Sequence, residues 1–385
     1  MAGEDTSSAD LSAPPVPAMQ RAELVADLDA LESALTSQTA RMGIDRWFWG
    51  EGVCLLASWR GAAARNAEAP ELLMEFARKY SASPPQLEHV NNLAPGAAVA
   101  ELYRSSPDPA LKALLEACLT WYSDAPEATR APNGALEHWP GGVWADTVYM
   151  AGEFLLRAGS VLDRQELVQE AVDQWLAHAE LLQEPSSGLF AHGTHSGARI
   201  DCFWGRANAW IALAGADLLA LAGTAVGIGE VRERLDRQLN ALAALQPEHG
   251  VWDVLVDGQI EVRGVLETSA AAGIGAAMLR ADALLSPKST TDSSEARGPL
   301  PVAQPTAMRQ AGEHAIRGAL AYVQNGTLTR VSAGTVLQII PFGYSVIRDD
   351  RIQPWGQGLA LEAIAAWRET TTTTMQPDRQ QRKEA

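Results

Sequence analysis

Cysteine is scarce in this chain: Cys54, Cys118 and Cys202 are the three in 385 residues, an odd number and widely separated. That excludes a disulfide framework and the paired spacing of a structural zinc site, and it suits a reducing interior. Histidine, at seven residues, is sparse too, and none stands in a ligand spacing such as HExxH, so neither a metal nor another cofactor is expected. Basic residues number 30 against 47 acidic ones, a formal net charge of -17. No basic footprint offsets phosphate repulsion, which excludes nucleic acid as a partner. No apolar run reaches the roughly 18 to 20 residues of a membrane span, so no membrane partner is expected. The opening "MAGEDTSSADLSAPPVPAM" is acidic, lacks an apolar centre and does not read as a secretory signal. The expected location is cytoplasmic, and nothing in the sequence fixes an oligomeric state.

Convincing strand patterns are also missing. What is present is helical periodicity, near 19–40, 44–60, 68–80, 90–105, 109–124, 144–159, 163–183, 203–222, 228–245, 264–285, 305–325 and 354–369. The stretches alternate in character. "RAELVADLDALESAL" and "VRERLDRQLNALAAL" are amphipathic and charged, whereas "WFWGEGVCLLASW", "FWGRANAWIALAGADLLALAG" and "LETSAAAGIGAAMLRA" are charge-poor and rich in small residues. A helix apolar on all sides is a buried helix. Six inner helices alternating with six outer ones predict an all-α fold, an (α/α)6 barrel of stacked helical hairpins. The barrel spans residues 19–369 as one domain. Residues 1–18 and 370–385 read as flexible tails, and about 286–306 as a polar, Pro-rich surface insertion.

Connections into the inner helices are long, as at 125–143, 184–202, 246–263 and 326–353, and those leading out are short. The long loops therefore gather at one mouth of the barrel, where function is expected. At the inner starts stand Trp47 and Trp49, Asn91 and Asn92, Trp144 and Asp146, Trp204, Arg206 and Trp210, Glu267, and Trp355 with Gln357. Indole faces stack on the C–H side of sugar rings, so tryptophans with carboxylates and an arginine suit a carbohydrate cleft. Taken singly, each residue has a plainer reading. The tryptophans pack as core, Asp146 caps its helix, and Arg206 pairs internally with Asp201 or Glu267.

The segments "VWADTVYM", "GLFAHGTHSG", "FWGRANAW", "GVWDVLVDG" and "LETSAAAGIGAAM" resemble, in order and spacing, the unsaturated rhamnogalacturonyl hydrolases, glycoside hydrolase family 105. The likeness runs from about residue 44 to residue 369 and extends more loosely to the unsaturated glucuronyl hydrolases. It implies a substrate: oligosaccharides ending in a 4,5-unsaturated uronic acid, as lyases leave them. It implies hydration of that vinyl ether rather than attack at the anomeric carbon. By the same resemblance Asp146 is the catalytic acid and base, with its pKa raised by an apolar setting beside Trp144. His192 lines the site, Arg206 suits a uronate carboxylate, and Trp204 and Trp210 are cleft aromatics, with Trp47 and Trp144 beside them.

Two departures from the family pattern stand out. Asn91 takes the place of a second active-site aspartate in pectin-acting members, and His195 takes the place of an acidic residue. Asn91 can hold a hydroxyl or water but carries neither charge nor proton. Two other readings therefore remain: a conventional inverting glycosidase using Asp146 and Glu267, and a carbohydrate-binding protein without catalysis.

Overall fold

Every charged, amphipathic stretch has a charge-poor neighbour that can hide its apolar stripe, and the chain folds accordingly. The computed structural model describes residues 21–285, 305–349 and 351–375. In chain order the helices are α1 (Arg21–Met42), α2 (Trp49–Ala64), α3 (Glu71–Ala82), α4 (Ala94–Ser105), α5 (Pro109–Asp124), α6 (Ala145–Met150) and α7 (Gly152–Val161). They continue with α8 (Gln165–Leu182), α9 (Gly205–Leu221), α10 (Ile228–Ala244), α11 (Thr268–Leu285), α12 (Ala307–Leu320), α13 (Pro341–Ser345) and α14 (Pro354–Met375).

The charge-poor helices form a closed inner ring. In it α2 packs on α4, α4 on α7, α6 and α7 on α9, α9 on α11, α11 on α14, and α14 back on α2. The amphipathic helices α1, α3, α5, α8, α10 and α12 lie outside, against that ring. This is the (α/α)6 barrel that the alternation predicts. Small residues make the tight contacts: a Cβ on Gly52 of α2 would stand 2.5 Å from the backbone nitrogen of Pro95 in α4. One on Gly358 of α14 would stand 2.8 Å from Cα of Cys54. Larger side chains at either position would force the helices apart.

The two poles of the ring differ. At the C-terminal ends, all six inner elements contribute to one buried ionic network: Arg60 from α2, Glu101 from α4, Glu153 and Arg157 from α7, Asp217 from α9, Arg280 from α11, and Glu362 from α14. The N-terminal ends of the inner helices meet the long loops and form the mouth. Short antiparallel ribbons stiffen those loops: β1 (Gly193–His195) with β2 (Ala198–Ile200), β3 (Val323–Gln324) with β4 (Thr327–Leu328), and β5 (Val331–Ser332) with β6 (Arg348–Asp349).

Three details differ from the sequence reading. The helix expected over 144–159 has a one-residue interruption at Ala151, across which Ala151 N–H still donates to the Thr147 carbonyl (2.9 Å). The second helix starts at Trp49 rather than near 44, which changes where Trp47 lies. Residues 370–375, expected to begin a tail, continue α14, and the Thr370 and Thr371 hydroxyls both donate to the Trp367 carbonyl (2.9 Å each). Residues 1–18 and 376–385, and the proposed insertion at 286–304, lie outside the described residues. Among the described residues no helix is long and apolar enough to cross a membrane.

Candidate active site

The mouth of the ring holds a cavity of about 380 Å³. Its walls come from the first turns of the inner helices: Trp49 (α2), Asn91 from the 3-10 turn ahead of α4, Trp144 and Asp146 (α6), Trp204 and Arg206 (α9), and Trp355 (α14). Loops supply the rest, notably His138 and Trp139, the Ala333–Val336 stretch, and Arg46, Arg351 and Gln353 at the rim. Because helices start here, their positive dipole ends converge on one space, a setting that favours an anionic ligand.

Local structure aims these side chains. Trp144 and Trp204 are extended residues just before α6 and α9, bridged to Gly193 and Leu255 respectively. The Ala145 N–H donates to the His192 carbonyl at 2.9 Å, which ties the start of α6 to the loop carrying His192. Asp146 thus sits in the first turn of α6, with 15% of its side chain exposed, on the cavity wall.

His192 is fully buried behind Asp146, its Nε2 3.2 Å from Oδ2. The contact lies off the axis of a full hydrogen bond, so both atoms can still take a further partner. The other ring nitrogen, Nδ1, is 2.6 Å from the Tyr344 hydroxyl. Trp204 and Trp144 hold the imidazole from two sides, with ring centroids 4.5 and 5.4 Å away.

The expected rise in the Asp146 pKa is not what this geometry gives. Burial pushes the carboxyl up, but the His192 contact and the Arg206 guanidinium outweigh it and hold the group below its ordinary value. Trp144 does not leave Asp146 in an apolar setting, because Trp144 stacks on His138 instead (4.5 Å, interplanar 10°).

Arg206 is fully buried among indoles, its guanidinium carbon 4.3 Å from the Trp204 ring and 5.5 Å from that of Trp355. Nη1 donates to Glu267 Oε1 (3.1 Å) and to the Ser332 carbonyl (2.7 Å), and Nη2 to the Ala333 carbonyl (2.8 Å). Of the two internal partners considered, Glu267 is the real one, since Asp201 bonds Arg199. Arg206 therefore clamps the 332–333 loop against the barrel, and its buried Nε has no hydrogen-bond partner among the described residues.

Glu267 precedes α11 and caps it, accepting from the Ala270 N–H, and also accepts from the Ser332 N–H (2.9 Å) and the Ser269 hydroxyl (2.6 Å). It is buried, saturated and absent from the cavity wall, so a two-carboxylate inverting pair with Asp146 has no geometric basis. Among the described residues lining the cavity, Asp146 is the one carboxylate.

Asn91 lies where the sequence places it, its Nδ2 3.4 Å from His138 Nε2, while His138 Nδ1 is 2.9 Å from Thr147 Oγ1. Burial pushes His138 down to about 3, so this imidazole is a neutral partner for the neutral amide.

Two of the expected cleft tryptophans lie elsewhere. Trp47 precedes α2, donates from Nε1 to the Asn92 carbonyl (2.7 Å) and stacks on Phe76 (5.5 Å), as core between α3 and the turn before α4. Trp49, two residues on, takes the cavity place and stacks on Trp355 (4.4 Å). Trp210 is wholly buried beneath the floor, against Tyr149 and the edge of Trp49. His138, Trp139 and Tyr344 carried no sequence signal, because they sit on irregular loops or on a five-residue helix.

Residues 33–370 match the model of Glycosyl Hydrolase Family 88. The chain is 34% identical over 251 residues to the unsaturated rhamnogalacturonyl hydrolase YesR of Bacillus subtilis, a match covering 62% of this chain and 66% of that protein. A protein of Agrobacterium fabrum, Atu3128, is 31% identical over 138 residues, which is 33% of this chain and 59% of its own length. The chain thus spans a little under two thirds of each of these relatives. Among solved structures, a possible member of the GH105 family from Salmonella enterica superposes with a TM-score of 0.77 at 24% identity, covering 93% of this chain and 97% of that one. The unsaturated glucuronyl hydrolase of Bacillus sp. GL1 superposes with a TM-score of 0.60 at 17% identity, over 83% and 86%. At those identities the structures establish a shared fold. With the family model spanning nearly all of the described barrel, the chain belongs to glycosyl hydrolase family 88.

Proposed function

We propose that this glycosidase releases a 4,5-unsaturated uronic acid from the non-reducing end of lyase-generated oligosaccharides, with Asp146 as both general acid and general base. The observation that carries the reading is the solitary carboxylate: Asp146 faces an indole-walled cavity to which no other described residue contributes an acid. Conventional glycosidases divide the work between two carboxyl groups. Vinyl ether hydration needs one group that gives a proton and then takes one.

The steps balance around that group. The C4=C5 π pair takes the proton of Asp146, leaving an oxocarbenium ion shared by C5 and the ring oxygen. Water attacks C5 and its proton goes to the Asp146 carboxylate, which restores the acid. The C5 hemiketal opens to a ketone, leaving a hemiacetal at C1, and that collapses to an aldehyde and expels the remaining sugar as an alcohol. One water is consumed.

Asp146 is ionised in the empty site at neutral pH, so the substrate must help to protonate it. A uronate carboxylate brought beside it, with water displaced, disfavours a second negative charge and raises the Asp146 pKa in the complex. Helix N-termini suit that carboxylate, and Trp49, Trp204 and Trp355 suit the ring faces. The activities for which the relatives are named, unsaturated rhamnogalacturonyl and unsaturated glucuronyl hydrolysis, support the same substrate class. Three free, buried cysteines suit a cytoplasmic place for it.

The test is a set of lyase digests of pectic, ulvan and glycosaminoglycan polymers, followed by the ultraviolet absorbance of the conjugated double bond. Hydration removes that absorbance in step with sugar release. Release with the absorbance intact would mean ordinary glycoside hydrolysis, and neither event on any digest would remove the catalytic reading.

A further inference from the structure

Tyr344 is wholly buried on α13, and its hydroxyl proton needs an acceptor. The backbone N–H of Gln338 donates to the phenol oxygen at 3.4 Å, so that oxygen is already used as an acceptor. His192 Nδ1, 2.6 Å away, is the acceptor in reach among the described residues. A phenol that donates to Nδ1 leaves the imidazole proton on Nε2, and Nε2 faces Asp146 Oδ2 at 3.2 Å. We propose that Tyr344 is a positioning residue for the Asp146 reaction, fixing His192 as the Nε2–H tautomer so that a ring N–H, rather than a lone pair, faces Asp146 Oδ2. This rests on the functional reading above only for the reaction that it assists. The tether itself is a property of the protein.

The arrangement links the mouth loop to the catalytic group. The Ala333–Val336 stretch walls the cavity, Arg206 clamps its start, and α13 in the same loop delivers the Tyr344 hydroxyl to His192. With His192 inaccessible to solvent, no bulk water can replace that hydroxyl. Loss of one oxygen atom should therefore free the tautomer while leaving the ring packing in place.

The experiment pairs a spectroscopic readout with a kinetic one. In the ¹⁵N spectrum of histidine-labelled wild type, the His192 Nδ1 should appear as an unprotonated acceptor and Nε2 as the N–H. In Tyr344→Phe that pattern should average or invert. On a hydrolysed unsaturated disaccharide, kcat should fall about tenfold with KM nearly unchanged, since the loss concerns the proton and not the walls. The alkaline limb of the kcat profile should move as well. On a His192→Gln background, Tyr344→Phe should add no further loss, because both act through one ring. Tyr322→Phe, at a buried phenol whose hydroxyl has no hydrogen-bond partner among the described residues and which does not line the cavity, serves as the packing control and should leave both readouts unchanged.

An unchanged Nε2–H tautomer in Tyr344→Phe overturns the proposal, and so does an unchanged kcat. Additive losses in the double variant overturn it too. If wild type turns over no unsaturated uronide but the tautomer still depends on Tyr344, the tether stands and the functional reading is what fails.

Discussion

Arg206 and Glu267 form an ion pair of 3.1 Å in which neither side chain is exposed. The pair joins α9 to the cap of α11 and, through Ser332, to the mouth loop, so it is a structural hub at the mouth of the barrel. Truncating one partner leaves the other charge buried. Glu267→Ala should cost about 3–5 kcal/mol of unfolding free energy, read from urea denaturation midpoints. Glu267→Gln, which keeps the acceptor oxygen, should lose less and retain the pH profile of the wild type. A changed profile in Glu267→Gln would instead give Glu267 a part in proton transfer.

The low pKa of Asp146 fixes the direction of the pH dependence. On the proposed reading the protonated carboxyl is the acid, so rates should fall as pH rises through its pKa. In the free protein that pKa lies below the ordinary value, and on the same reading the substrate carboxylate should raise it in the complex. The alkaline limb of kcat, which reports the complex, should therefore lie at higher pH than that of kcat/KM, which reports the free protein. Coincident limbs would show that bound substrate does not perturb Asp146. Asp146→Asn should lose about 10²–10⁴-fold in kcat and abolish the limb.

Asn91 keeps the charge on one side of the cavity at zero, because its neighbour His138 is neutral. Asn91→Asp would add a second negative charge facing the substrate. Two consequences follow from one cause: KM for an anionic substrate should rise, and the alkaline limb of kcat/KM should shift upward by about one unit or less as like charges disfavour ionised Asp146. A lower KM would mean that the subsite at Asn91 meets a hydroxyl-rich part of the sugar, away from its carboxylate.

The fold was legible because burial writes itself into composition. A helix wholly inside a ring, such as α9 with "ANAWIALAGADLLAL", has no reason to carry charge, and alternation with charged helices then implies two rings. The place of Asp146 on the cavity wall was legible because it lies inside a motif tied to a helix start. Which tryptophan of a close pair faces the cavity was not, since a two-residue displacement at a helix N-terminus is beyond what periodicity resolves. Tyr344 and His138 were invisible for a different reason: their roles depend on contacts to residues far away in sequence.

The Trp47 and Trp49 pair makes that difference measurable. Trp47→Ala removes an indole held by Phe76 and Tyr80 and should cost about 3–5 kcal/mol of stability, with KM little changed in the folded fraction. Trp49→Ala removes a cavity wall and should raise KM, with a smaller loss of stability because Trp49 is only partly buried. Thermal unfolding and steady-state kinetics on both variants would check the assignment, and the opposite pattern would return Trp47 to the cleft.

At the far pole, Glu153 and Asp217 lie together under Arg60 and Arg157. The two arginines hold Asp217 as the carboxylate, so the proton stays on Glu153, whose pKa burial and the Asp217 charge push up from 4.5 to about 8. In the unfolded chain Glu153 ionises at its ordinary value. The folded protein therefore binds one proton that the unfolded chain has given up between those two pH values. The stability this proton contributes is present in full below pH 4.5 and is lost as pH rises through about 8, by on the order of a few kcal/mol. Asp217 acts in the opposite sense, its contribution being lost on acidification. Glu153→Gln keeps the shape and the acceptor for the Arg157 Nε–H (3.1 Å in the wild type) and cannot titrate. Its melting temperature should stay nearly level from about pH 5 to about pH 8, where that of the wild type falls. A slope as steep as the wild type's would place the shared proton elsewhere in the network.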